Sequence, residues 1–476
     1  MNFQWSLVID LGLIALALLI ATLLRYKVRF FQKYLIPNAL TAGFLLLPYY
    51  NYIAPMQGMD SESLGELVYH LLNLTFISMI LRRAPKGHQR HDGTIFATSV
   101  GTLSQYALQA SLGLGITALF IYTVMPSLNP GFGFLLPLGF ALGPGQAFAI
   151  GQAWEGFGFE GAGSLGLSFA AIGFLFACFG GVFLMNFGIR KGWIEEEHLK
   201  KINSRGARSG IYAKGQEHPI GARLTTETEA IDSFTYHMAI IFLIYLLSYL
   251  FLRGFTWGLG LIGPIGVQLG ESLWGINFIF SAIIAMICRA IFEKVGVSNV
   301  LDNHTLTRIS GLSVDLMVAA AVGAISLVVV MEYWLPILVI SLVGGTVTIV
   351  TLPWICSRMF KDHRFHRTLM LFGASTGTMP TGLSLLRAMD PEFETPVASD
   401  YMFSSGISFM LLIPLILIMN FPTLSLYNNE PRLYWIAVAM AAGYVIFVLI
   451  AFLVLARSRA FQRKRRVWLR EETHNS

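Results

Sequence analysis

Apolar residues run along the chain in blocks of about twenty, the length a helix needs to cross a bilayer. Such blocks fall near 5–24, 35–54, 64–81, 94–125, 162–189, 232–252, 272–292, 309–331, 335–356, 398–421 and 433–456. Two further apolar stretches, 132–155 and 368–388, are interrupted by Gly, Pro, Gln, Ser and Thr. Interrupted backbone persists at membrane depth only where protein buries it or a wet cavity faces it. Both are therefore expected to be re-entrant, which leaves eleven spans. The first block has no basic residue before it and no small-residue cleavage site after it, so it reads as a retained span rather than a signal peptide.

The basic residues test that count. With the N-terminus outside, the inner segments are 25–34, 82–93, 190–231, 289–308, 357–367 and 457–476, and they hold 30 of the 33 Lys and Arg. Only Arg253, Arg387 and Arg432 fall elsewhere. Making either interrupted stretch a full span would move every later loop to the other side and undo this agreement. The polar loop 191–231 then divides an N-terminal unit, 1–190, from a C-terminal unit, 232–425, and leaves an eleventh span and basic tail in 426–476. An offset of 234 residues maps Gly143 onto Gly377, and Met185, Asn186 and Phe187 onto Met419, Asn420 and Phe421. Five spans per unit is an odd number, so the two units insert with opposite orientation. The expected fold is all-α and integral to the membrane: two inverted five-span repeats, each with a re-entrant Gly-rich segment, plus one C-terminal span. Inverted repeats with broken elements in matching places are the pattern of secondary transporters.

Composition agrees. The chain of 476 residues is 55% hydrophobic and 13% charged, with a mean hydropathy of +0.63. That excludes a soluble enzyme, a disordered chain and a nucleic-acid module. The net charge of +6 belongs to cytoplasmic loops rather than to a nucleic-acid partner. Cys178, Cys288 and Cys356 lie far apart in apolar segments and read as small buried hydrophobes. No Walker, HExxH or GxSxG motif is present, so neither an enzyme nor a resident cofactor is expected. His88, His91, His363 and His366 lie in basic loops and read as solvated surface, and the tail Arg463, Lys464, Arg465 and Arg466 suits anionic headgroups.

The chemistry is expected in the interrupted stretches. The first contains Gly143, Pro144, Gly145 and Gln146; the second contains Ser375, Thr376, Gly377, Thr378, Pro380 and Thr381, followed by Arg387. Helix breaks free backbone N–H groups for an anion at a half-helix N-terminus. They also free carbonyls, which with Ser and Thr hydroxyls are hard oxygen donors for sodium. The alternative is that these glycines only permit close helix packing. Asp315, in mid-span, suits a cation or a substrate charge, or else hydrogen-bonds to a neighbouring span. With Ser375 and Thr378 it makes the expected sodium set. The Arg387 guanidinium fits a substrate carboxylate, or caps its segment at the surface. Bland readings go to Glu155 and Asp10 near outer ends, to a solvated Glu66 and His70, and to Asp400 and Glu332 at span ends. Asn73, Thr75 and Ser78 line a polar face of the third span or bond their own helix.

On these residues the chain resembles the sodium/glutamate symporter family. Lys33, Tyr34, Leu35, Ile36 and Pro37 are similar to the basic–aromatic–Ile-Pro opening of that family's second span. The segment after Gly143 and the run Gly377, Thr378, Met379, Pro380 and Thr381 resemble its two re-entrant motifs. Gly143, Pro144, Gly145 and Gln146 stand where its glutamate carriers have consecutive glycines and a histidine. The resemblance covers roughly residues 5–421 and implies sodium-coupled symport of glutamate or a related small anionic amino or carboxylic acid. It implies a bacterial inner (plasma) membrane, with central loop and C-terminus cytoplasmic. Carriers of this build commonly dimerise, so a homodimer is also expected. The alternatives are a passive channel, or a sodium-coupled carrier of a different organic anion.

Overall fold

The computed structural model describes residues 5–82, 92–193, 211, 221–390, 395–462 and 466–469. It is all-helical, with no strand among the described residues. In chain order the principal helices are α1 Ser6–Lys27, α2 Asn38–Pro48, α3 Glu62–Leu81, α4 Asp92–Thr123, α5 Pro130–Leu142, α6 Pro144–Glu155, α7 Ala162–Arg190, α8 Ser233–Gly260, α9 Pro264–Trp274, α10 Asn277–Val295, α11 Asn303–Gly323, α12 Trp334–Met359, α13 Arg364–Thr376, α14 Met379–Met389, α15 Val397–Tyr427 and α16 Pro431–Arg459. The segments α5, α7 and α16 include short 3-10 or π turns, and α15 is interrupted by a turn at Met419 and Asn420.

Nine of the described helices (α1, α3, α4, α7, α8, α11, α12, α15 and α16) are long and apolar enough to cross a membrane. Each coincides with an expected span. The other two expected spans are helical but fall short of that standard. The 35–54 block forms only the 11-residue α2, which continues from Pro48 as a π turn over Tyr49–Ile53. The 272–292 block becomes α10, whose last turns carry Arg289, Glu293 and Lys294. The 309–331 block starts earlier than expected, because Asp302 caps α11 through the Thr305 N–H, and the helix ends at Gly323.

Burial sorts the helices. Only 17% of the most apolar window of α16 is buried, against 67% for α7. Leu19 and Val454 are exposed on otherwise apolar helices. Apolar surface on that scale needs a lipid neighbour, which makes this a multi-pass membrane protein.

Packing forms two groups. In the first, α11 lies against α3 and α2, and α3 also packs on α8 and α10. In the second, the long α4 contacts α5, α12, α13, α15 and α16, while α7 packs on α5 and α6. Helix α6 touches both groups, meeting α3 and α11 on one side and α7 on the other. Two long pairs are antiparallel. Leu64 of α3 packs near Gly323 of α11, while Arg82 just beyond α3 reaches the Thr307 hydroxyl at 3.4 Å. Gln105 and Gln109 of α4 reach Thr351 and Thr348 of α12, again in reverse order.

The C-terminal tail folds back onto the protein. Trp468 stacks on Trp193 with ring centroids 4.7 Å apart, and Arg358 donates to the Gln462 and Arg466 carbonyls. Tail residues 463–465, His88, His91 and most of the central loop lie outside the described residues.

Candidate functional site

The two interrupted stretches are both broken helices, and the breaks lie 234 residues apart, at Gly143 and Gly377. Helix α5 stops at Leu142, and Gly143 adopts φ +98° and ψ 176°. Side chains exclude that backbone region almost completely, so glycine is required. Pro144 then opens α6, with its ring preset for the first helical position. No side chain caps this helix start. Pro144 has no N–H, so the amides of Gly145 and Gln146 are the open donors at the positive end of α6. The Gln146 side chain is 6% exposed and has no partner among the described residues.

The second break is built differently. Thr378 and Thr381 form a capping box at the start of α14. Thr381 Oγ1 accepts from the Thr378 N–H at 2.7 Å, and lies 2.9 Å from the Gly373 carbonyl oxygen and 2.6 Å from that of Thr378. The positive end of α14 is thus satisfied internally. Helices α13 and α14 fold back on each other, and a methyl on Gly373 would meet Gly382 Cα at 2.7 Å. Gly373 and Gly382 permit this close packing; Gly143 serves conformation.

The two breaks touch. A methyl on Gly143 would lie 3.1 Å from Thr378 Cγ2, and 3.8 Å from both the Gly377 carbonyl oxygen and Gln146 Oε1. One helix holds both. On α4, the Tyr106 hydroxyl donates to the Ala141 carbonyl at 3.0 Å, and Gln109 Nε2 donates to the Ser375 carbonyl at 3.0 Å. From the other group, Leu72 of α3 and Met317 of α11 crowd Gly145. Thr378 is half-buried and Pro380 exposed, while Ser375, Thr376, Gly377 and Thr381 are buried.

Arg387 is exposed on the last turn of α14, about 13 Å along the helix axis from Thr378 at 1.5 Å per residue. Asp315 is exposed on α11 and makes no hydrogen bond or ion pair among the described residues, whereas Ser375 is buried. Glu155 closes the α6–α7 turn, accepting from the Gly163 N–H at 3.0 Å and from Gln152 at 3.1 Å. His70 pairs with the Tyr245 hydroxyl at 2.7 Å. Asn73, Thr75 and Ser78 bond their own helix, and Asn73 also accepts from Ser281.

Two expectations are corrected. Asp10 is not solvated; it is 1% exposed and accepts from the hydroxyls of Tyr50 and Ser63. His366 is not solvated surface but 5% exposed, while Asp400, at a span end as expected, pairs with buried Arg367 at 2.8 Å. Residues that sequence reasoning passed over include Tyr106, Gln105, Gln109 and Arg367. The two glutamines were detectable, since carboxamides one turn apart in an apolar span are costly unless partnered.

The first break therefore offers N–H donors, and the second offers neutral oxygens. Among the described residues no group of three or more His, Cys, Asp or Glu comes together to hold a metal ion. Comparison with known proteins finds no matching family model, no matching curated protein and no matching solved structure.

Proposed function

We propose that the chain is a sodium-coupled secondary transporter that carries glutamate or a related small anionic amino or carboxylic acid by alternating access. The observation that carries this reading is the contact between the Gly143 and Thr378 breaks, with an uncapped helix start on one side of it. The solute's carboxylate would accept from the N–H groups of Gly145 and Gln146 and from the Gln146 carboxamide, at the positive end of α6. Thr378, Gly377 and Pro380 would form the facing wall, with Thr381 fixing their shape. Asp315 and Arg387 drop out of the contact site in this reading.

Inverted repeats are supported by the equal spacing of the breaks and by the antiparallel α3–α11 and α4–α12 pairs. Counting α2 and α10 as spans beside the nine gives eleven, and the basic residues then put the N-terminus outside. The two packing groups supply a scaffold and a moving part, with α6 at the seam between them. The resemblance to sodium/glutamate symporters supplies the ion and the solute class.

Uptake of radiolabelled glutamate into proteoliposomes, with and without an inward sodium gradient, tests the proposal. Accumulation driven by sodium supports it. Equilibration without accumulation would turn the reading to a passive channel, and sodium-independent uptake would remove the coupling.

A further inference from the structure

Buried oxygens that the solute reading leaves unused gather where α13 ends. Gln109 is 1% exposed and Ser375 2% exposed, yet Gln109 Oε1 and Ser375 Oγ have no hydrogen-bond partner in the described structure. The orientation of the Gln109 carboxamide is fixed by its neighbours. Thr348 Oγ1 donates to the Gly344 carbonyl at 2.9 Å, so it can only accept from Gln109 Nε2 at 3.2 Å. The second Nε2 hydrogen goes to the Ser375 carbonyl. Both hydrogens are used, and Oε1 is left as a bare acceptor.

A buried oxygen left unpartnered is costly, and here two sit on residues joined by one 3.0 Å hydrogen bond. They also sit at the C-terminal end of α13, where the last-turn carbonyls concentrate partial negative charge. Gly173 is part of the same arrangement: a methyl on it would fall 2.5 Å from the Thr376 carbonyl oxygen, so only glycine leaves that oxygen its place. Acceptors in a negative helix end call for a cation. The set has amide, hydroxyl and carbonyl oxygens and no carboxylate, which suits a monovalent ion better than a divalent one.

We infer that Gln109 Oε1, Ser375 Oγ and the Thr376 carbonyl that ends α13 form a binding site for a dehydrated monovalent cation. This inference rests on the transport reading and moves its coupling ion from the exposed Asp315 to α4 and α13. A cation there neutralises the negative end of α13 next to the Gly143–Thr378 contact, so its arrival would favour an anion at α6.

The test is thermal stabilisation of the purified protein by sodium, at constant ionic strength with choline, and with potassium and lithium in parallel. Ser375→Ala should fold normally in choline, since removing an unpartnered hydroxyl costs nothing there, and should raise the half-saturating sodium concentration by tenfold or more. Ser375→Cys, which keeps the volume but replaces hard oxygen with sulfur, should do the same and serves if the alanine variant is unstable. Ser111→Ala, which removes another buried unpartnered hydroxyl on α4, should leave the sodium response unchanged. An unchanged half-saturating concentration in both Ser375 variants overturns the site and leaves gradient-driven uptake, and so the transport reading, standing. Equal stabilisation of the wild type by choline and sodium overturns the site as well, with a trapped water as its occupant. Loss of sodium-driven uptake in the wild type would instead overturn the transport reading.

Discussion

Tyr106 and Gln109 stand one turn apart on α4 and donate to the carbonyls of Ala141 and Ser375, each two residues before a break glycine. One rigid helix thus sets the positions of both breaks relative to each other. Tyr106→Phe removes one donor and leaves the Ala141 carbonyl unpaired, a loss of about 1 kcal/mol. Gln109→Leu strips the Ser375 carbonyl and the Thr348 hydroxyl of a donor, at about 1–3 kcal/mol. Thermal melting of purified variants should rank them in that order, and both should slow uptake.

Gly143→Ala should abolish uptake while leaving a folded protein. The substitution meets two obstacles: backbone strain at φ +98°, of order 1–3 kcal/mol, and contact with Thr378 Cγ2 at 3.1 Å. Thr378→Ser removes that methyl but keeps the capping hydroxyl. The double variant Gly143→Ala/Thr378→Ser should therefore recover part of the lost melting temperature and none of the transport. Full recovery of uptake would mean that crowding, rather than the backbone turn, is what Gly143 is there to avoid.

The helices were legible because lipid forces a helical span to satisfy its backbone internally and to be apolar for its full length. Leu19 and Val454 show the signal at its plainest. The breaks were legible too, since Gly143–Pro144 and Gly377 followed by Pro380 cannot continue a helix. Which residues surround them was not. Tyr106 and Gln109 lie far in sequence from the carbonyls they hold, and no local pattern encodes that pairing. Asp10 was misread as solvated for the same reason: Tyr50 and Ser63, its partners, come from other segments of the chain.

Asp302 should make stability pH-dependent at the acid end. Burial disfavours its charge, but the amides of Thr305 and Arg223 and the Thr305 hydroxyl donate to it and hold its carboxyl below the usual carboxylate range. A depressed folded value means the stabilisation is complete above the unfolded value of about 3.9 and is lost as pH falls through the folded one. Asp302→Asn keeps a capping oxygen but cannot ionise. The melting-temperature gap between wild type and Asp302→Asn should be constant from pH 7 to about pH 5 and shrink below about pH 4. A gap that widens on acidification would contradict the assignment.

Arg367 and Asp400 form the sharpest stability test, because neither side chain can retreat to water. Arg367 is 1% exposed and bonds Asp400 at 2.8 Å, with Asp362 at 3.2 Å on its outer side. Its guanidinium also lies over the Phe360 ring, 5.0 Å from the centroid. Arg367→Met keeps the packing but leaves the Asp400 carboxylate buried without a counter-charge, which costs about 3–5 kcal/mol. Asp400→Leu should cost less than Arg367→Met, because Asp362 still faces the guanidinium. The double variant Arg367→Met/Asp400→Leu removes both charges and should recover most of the loss, since a well-packed apolar pair often equals a buried ion pair. Melting curves of the four proteins close a double-mutant cycle. A strongly favourable coupling energy is expected; additive losses would mean that Arg367 acts through Asp362 and the backbone alone.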